Sequence, residues 1–349
     1  MDKELPLANP PIKGLHYLAN PLAMLFDDKN ILPWFYSDYI QLIWYKDVNF
    51  LSFHGKYISE FPTSIPWLEF QCLEKEFAIR AFDICDLFIK AIDEGWYIIS
   101  SYDEFFIPNT SFYKKQHFKH DFMIYGYDLD NQVFISNVYT QRMVLEKNII
   151  NFTDFHKGFL AGRSDTYEFN RVNFYRKKRD YKYDFNVSFL IEQLEDYLNS
   201  RCSDRKYTVP DDHVERAFGM EIYDYIIDIF QSKHPSIQDA RILYMLWEHK
   251  KCMRMRIEYM VKNDLLVDSK MLFERVVEIE NLALKIKALQ LKLCINNDRS
   301  ICDRIVIILQ MIYEKEQMVI KDLITEMKKK NVVPELSSGS SGVVQSSFD

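Results

Sequence analysis

Proline and glycine are so unevenly distributed along the 349 residues that they divide the chain before any other pattern is considered. Eight of the eleven prolines fall within residues 1–108, and only Pro210 and Pro235 occur between 109 and 330. Seven of the nine glycines lie before Arg163 or at Gly219, and the other two lie in the tail. Both residues weaken helix interiors, so the first half reads as mixed and the second as nearly all helical. The boundary falls near 180–185, after the polar run Arg176-Lys-Lys-Arg179. A mass of 41.9 kDa also fits two cores better than one. The expected organisation is an α+β domain over 1–182, a helical bundle over 183–334 and a flexible tail over 335–349. That tail contains Ser-Ser-Gly-Ser-Ser-Gly.

Scarce glycine also limits function. Neither G-x-G-x-x-G nor G-x-x-x-x-G-K-[ST] occurs, so the usual phosphate-cradling loops cannot be built. A net charge of -7 argues against a nucleic-acid binder, which carries a dominant basic surface. The six cysteines are widely spaced, with no C-x-x-C, as expected of reduced thiols in a cytoplasmic protein. No stretch approaches the roughly 18 apolar residues of a membrane span, and residues 1–14 lack the apolar core of a signal peptide.

Local patterns fill in the first half. Asn20 and Pro21 read as the N-cap and first position of a helix. Apolar spacing predicts one helix over 75–93. Aromatic and β-branched runs predict strands over 97–101, 122–127 and 132–137, the last two forming an antiparallel hairpin about Asp128-Leu-Asp-Asn131. Gly126 in the hairpin leaves room for a close backbone or ligand. In the second half, stripes at 3–4 spacing predict long antiparallel helices over 242–260, 272–293 and 305–327.

The block His117-Phe-Lys-His120-Asp-Phe-Met-Ile-Tyr-Gly-Tyr-Asp128 carries the chemistry. Symmetric pairing about the turn places His120 opposite Asn137, whose carbonyl oxygen then fixes one tautomer of the ring. His120 becomes a base or acid oriented by Asn137, two-thirds of a nucleophile–base–orienter triad. The other reading is an edge histidine bonded only to backbone. His117 and His120 are three apart on a strand and point to opposite faces, so no metal is expected there. His117 itself reads as solvent-facing.

His120-x-x-x-x-x-Gly-Tyr-Asp128 followed by a strand ending in Asn resembles the second half of papain-like cysteine peptidase domains. Over residues 10–330 the chain resembles the family of the butirosin biosynthesis protein H, through pieces in matching order. These are Gly14-Leu-His-Tyr17, Trp34-Phe-Tyr-Ser37, Gly95-Trp-Tyr-Ile98 with Tyr102-Asp103, the His120 block, and Glu248-His-Lys250. The resemblance implies a papain-like α+β domain followed by a helical bundle. It also implies an acyltransferase of antibiotic or nonribosomal-peptide biosynthesis. Such an enzyme transfers, cyclises or releases an aminoacyl or peptidyl thioester onto an amine. No cofactor is implied; the substrate is presented on a phosphopantetheinyl carrier protein. Neither nucleic acid nor membrane is an expected partner, and a homodimer is one of the open oligomeric states.

The family's cysteine belongs at the start of the first helix, where the backbone N–H groups lower a thiol pKa. Here that start reads His16-Tyr17-Leu-Ala19-Asn20-Pro21, without Cys, Ser or Thr. Three readings follow. Acyl transfer proceeds without a covalent enzyme intermediate, with His120 as base and His16 or Tyr17 beside it. Alternatively, the domain has become a catalytically silent binding protein for a carrier or natural product. In the third reading the nucleophile has been substituted, with Ala19 the position in question. Tyr102, Asp103 and His249 are pocket candidates, although His249 also lies on the apolar stripe of its helix and reads as core. Arg176, Lys177, Lys178 and Arg179 are candidates for docking an acidic carrier, as are Lys250, Lys251 and Arg254; the plainer reading of such a run is a solvated face.

Overall fold

The computed structural model describes residues 2–54, 65–163, 170–178, 181–203, 214–266 and 270–337, with side chains described to 330. The chain is mixed α+β, with antiparallel sheets and a C-terminal helical region. It divides into two compact units, one formed by 1–31 with 57–182 and the other by 32–56 with 183–349. The break near 182 lies where the composition shifts. Residues 32–56, expected in the first domain, instead belong with the helical half.

The first unit is built on a seven-stranded antiparallel sheet. Its strands are β1 (Asp2–Glu4), β4 (Leu68–Glu74), β5 (Tyr97–Asp103), β6 (Lys119–Asp128), β7 (Val133–Tyr139), β8 (Leu145–Asn151) and β9 (Arg171–Lys177). The order is β4-β9-β5-β6-β7-β8, and β1 pairs with the far end of β6. Every residue of β5 is buried, as a central strand covered on both faces requires. A Cβ on Gly126 would lie 2.8 Å from the Lys3 carbonyl oxygen, so the close neighbour that glycine admits is the backbone of β1.

Four helices accompany the sheet: α1 (His16–Leu25), α3 (Lys75–Ala81), α4 (Ile84–Asp93) and α5 (Phe152–Ala161). Three depart from the sequence expectation. Helix α1 begins at His16 rather than at Asn20, and Pro21 sits inside it. The expected helix over 75–93 is two helices, because Phe82 is extended and Asp83 caps α4 by accepting from the Asp86 N–H. A Cβ on Gly162 would lie 2.5 Å from Tyr102 Cα, so this glycine lets the end of α5 rest on β5. Beneath, Phe88, Phe134, Phe155 and Phe159 form an aromatic core joined by Tyr102.

The second unit contains α2 (Leu32–Ser37), β2 (Gln41–Tyr45), β3 (Phe50–His54), α6 (Val187–Leu198), β10 (Arg216–Phe218), α7 (Ile222–Gln231), α8 (Arg241–Lys262), α9 (Lys270–Asn296) and α10 (Ile301–Ser337). Helix α8 packs on α9, α9 on α10, and α10 on α6 and α7. The three long periodic stripes therefore form helices as expected. A three-stranded sheet, β10-β2-β3, completes the unit. Arg256, fully buried on α8, donates to the carbonyls of Tyr36, Asp38 and Tyr39 at 2.8, 2.7 and 3.0 Å, capping the end of α2. Among the described residues no helix is long and apolar enough to cross a membrane.

Candidate active site

The start of α1 and the start of β6 come together in the first unit. His16, the first residue of α1, and His120 on β6 meet edge to face with ring centroids 4.8 Å apart. Each imidazole has its own carboxylate. His120 Nδ1 lies 2.8 Å from Glu104 Oε1, and His16 Nε2 lies 2.8 Å from Asp121 Oδ1. The His16, His120 and Asp121 side chains are about one-fifth to one-quarter exposed, whereas the Glu104 carboxylate is buried. The pair is reachable from solvent and its orienting group is not.

Glu104 is held by the chain that joins β5 to β6. Asp103 ends β5 and accepts from the N–H groups of Phe105 and Phe118 at 3.0 and 3.2 Å, while its second oxygen lies 2.6 Å from His117 Nδ1. The Glu104 N–H donates to the Phe118 carbonyl, closing this connection two residues before His120. A carboxylate only accepts, so the proton of a neutral His120 sits on Nδ1 and the Nε2 lone pair remains available. None of the hydrogen bonds of His120 among the described residues uses Nε2. Burial pushes the Asp121 carboxyl up, but His16 and His120 outweigh this and hold it below its ordinary value.

The expected His120–Asn137 pair does not form. Asn137 is opposite Met123: Asp128 pairs with Val133, so the hairpin is centred later than assumed, and the bulge between Ile124 and Gly126 offsets only one position of that shift. Across β5, His120 pairs with Tyr102. Asn137 Nδ2 instead donates to Asn20 Oδ1 at 3.0 Å, tying β7 to α1. The orienter is Glu104, which the sequence reading missed. It follows the quoted pair Tyr102-Asp103 directly, but nothing in local spacing brings it to a histidine sixteen residues away.

The other candidates separate clearly. Tyr17 lies beside the pair, its ring 5.9 Å from that of His16. Ala19 is fully buried within α1, and Asn20 is buried with Nδ2 unpartnered. Tyr102 is buried and stacked on Phe122 at 4.1 Å. Asp103 supports the connection rather than His120. His117 is exposed and stacks on Phe105 at 4.5 Å.

His249 belongs to the second unit. It is fully buried, with Nε2 2.7 Å from the Ile40 carbonyl oxygen and Nδ1 3.0 Å from Lys250 Nζ. Burial pushes its pKa well below the ordinary value, as a neutral core histidine requires. Lys250 is equally buried and cannot dock a carrier. Lys251 lies over Trp247, and Arg254 is paired with Glu280 and Glu258.

Of the basic run, Arg176 pairs with Glu69 at 2.7 Å and lies over the Trp96 ring, Lys177 pairs with Asp27, and Lys178 donates its N–H to Trp67. Arg179 lies outside the described residues. Of the five pieces on which the resemblance rests, Trp34-Phe-Tyr-Ser37 and Glu248-His-Lys250 lie in the second unit and the other three in the first.

No thiol is activated nearby. Cys72 is on β4 and Cys85 on α4, and burial raises both, Cys85 to about 11. No model of a protein family matches the chain, and no curated protein matches it.

Proposed function

We propose that the first unit is a papain-like acyltransfer domain that works without a covalent enzyme intermediate. The observation that carries the reading is the pair of carboxylate-backed imidazoles at the start of α1, with His120 Nε2 available as a base. A thioester already activates its acyl group, so the enzyme need only position the acceptor and move one proton. The acceptor amine attacks the thioester carbonyl, forming the C–N bond as the C–S bond breaks. His120 Nε2 takes the amine proton and returns it to the departing thiolate. Glu104 stabilises the imidazolium formed in between, and His16, held by Asp121, lines the same spot. The substrate class is an aminoacyl or peptidyl thioester on a carrier protein in secondary-metabolite assembly, and the products are an amide and a free carrier thiol.

A second reading is favoured by the absence of Cys, Ser or Thr at 16–20: a silent domain that binds a carrier or natural product. Incubation of an acyl-loaded carrier with candidate amines decides between them. Wild type should form amide, and His120→Gln should lower the rate roughly 100- to 10,000-fold with carrier binding unchanged. Equal rates remove His120 from the mechanism. Carrier binding by wild type with no product across the amine panel establishes the silent reading.

A further inference from the structure

We propose that His16, His120 and Asp121 form a binding site for a divalent transition-metal ion of the zinc type. The metal site stands on geometry alone and not on the acyl-transfer reading.

The ligand atoms of the three residues lie within 4.8 Å of one another. Two imidazoles and one carboxylate are the donor set of zinc and related ions, whereas magnesium and calcium take oxygen donors. The shell behind the site has the form that ligating histidines use. Glu104 meets His120 at Nδ1, fixing the ring and its tautomer so that Nε2 presents a lone pair. On the other side the ion replaces the proton now shared by His16 Nε2 and Asp121 Oδ1 at 2.8 Å. Zinc holds nitrogen at about 2.0–2.1 Å, which separates tetrahedral ligands by about 3.3 Å. Small side-chain rotations therefore suffice: His16 and Asp121 move apart slightly, and His120 moves in. Partial exposure of all three ligands leaves the fourth position to water or to a substrate oxygen.

The sequence pairs His117 with His120 and finds no metal geometry. The fold supplies a different partner, because α1 delivers His16 to the start of β6 and adjacent Asp121 completes the set.

Titration of the full chain with Zn2+ by calorimetry, with Co2+ spectra as a second readout, tests the site. One ion per chain is expected, with tetrahedral Co2+ bands and no thiolate charge-transfer band. His120→Ala and Asp121→Asn should each weaken binding at least about 100-fold, and Glu104→Gln about 10- to 100-fold. His117→Ala should bind as wild type does. Circular dichroism confirms that each variant is folded. His16→Asn serves as an additional ligand variant if Asp121→Asn fails that check. Absence of one-to-one binding overturns the metal site, as does unchanged affinity in His120→Ala or a thiolate band that marks cysteine ligation. The ion and the amine proton compete for the His120 Nε2 lone pair, so amide formation is measured in chelator, where the base is free: transfer by a protein that binds no metal sinks only this inference, and metal binding by a protein that makes no amide in chelator sinks only the reaction proposed above.

Discussion

Each unit holds a cluster built around histidine, acid and aromatic rings, yet the two clusters are opposites. In the helical unit Lys250 Nζ donates to both Glu316 oxygens at 2.6 and 2.7 Å and to Tyr197 Oη at 3.0 Å. Tyr223 and Tyr197 donate to Glu316 Oε2, and His249 bridges Lys250 to the Ile40 carbonyl. Lys250 and His249 are fully buried and Glu316 nearly so. The donors and acceptors of this group are mutually satisfied, which is the condition for burying an ion pair. At the sheet unit's His16–His120 pair, only the supporting carboxylate is buried, and His120 Nε2 faces partly exposed space. A histidine becomes a functional candidate through what its second nitrogen is left to do. The sequence offers His120 as a base and His249 as a pocket candidate that also reads as core, and the surroundings separate them.

The strongest break in this comparison is Glu316→Ala. It leaves the Lys250 ammonium and two tyrosine hydroxyls buried without their acceptor, and should destabilise the protein by about 3–5 kcal/mol in denaturant unfolding. The double substitution Glu316→Leu with Lys250→Met should recover most of that loss, because the charge is removed with its partner. A cost for Glu316→Ala below about 1 kcal/mol would mean that the cluster opens to water and that the contrast is misdrawn.

A pair of histidine variants gives a smaller effect and sharpens the same distinction. His249→Ala opens a cavity and orphans the Ile40 carbonyl, and should cost about 2–4 kcal/mol. His120→Gln should change stability by about 1 kcal/mol or less, since the ring is one-quarter exposed and the amide N–H can still donate to the buried Glu104 carboxylate. Unfolding curves of the two variants side by side test this. Equal costs would show His120 to be as structural as His249.

What the sequence could reveal follows from the range of the interactions. Helices α8, α9 and α10 were legible because their apolar residues repeat along a single element. The β6–β7 hairpin was legible as two strands and a turn, but its register was not, because the last pair before the turn is Asp128 with Val133, and a turn centred later moves every pairing along the hairpin. The break at Phe82–Asp83 had a local signal, an Asp three residues before another acid, which the continuous apolar spacing masked. The assignment of 32–56 to the helical unit depends on β2 pairing with β10, more than 170 residues away, and no periodicity encodes that. Glu104 was hidden for the same reason, since its partner is chosen by a connection whose path is fixed by Asp103. His16 was visible only through the resemblance at the first helix.

The smallest expected effect concerns a lysine that lacks what Lys250 has. Lys75, at the start of α3 in the sheet unit, is fully buried. It donates to the Ser101 carbonyl and lies 4.3 Å over the Phe159 ring, with no carboxylate in hydrogen-bond contact among the described residues. Burial, reinforced by the charges of Arg163 and Lys119, pushes it down to about 7. The folded pKa is below the unfolded value, so between the two the unfolded chain binds the extra proton, and stability must rise with pH from about 7 towards the ordinary lysine range. The gain should reach about 1–2 kcal/mol between pH 7 and pH 9, once neighbouring titrations are subtracted by comparison with Lys75→Met, in which this dependence is absent. At pH 7 the methionine variant should be at least as stable as wild type, because it fills the site without a charge to desolvate. Parallel pH dependences in the two proteins would show that Lys75 carries no desolvation cost, and the contrast between a paired and an unpaired buried lysine would disappear.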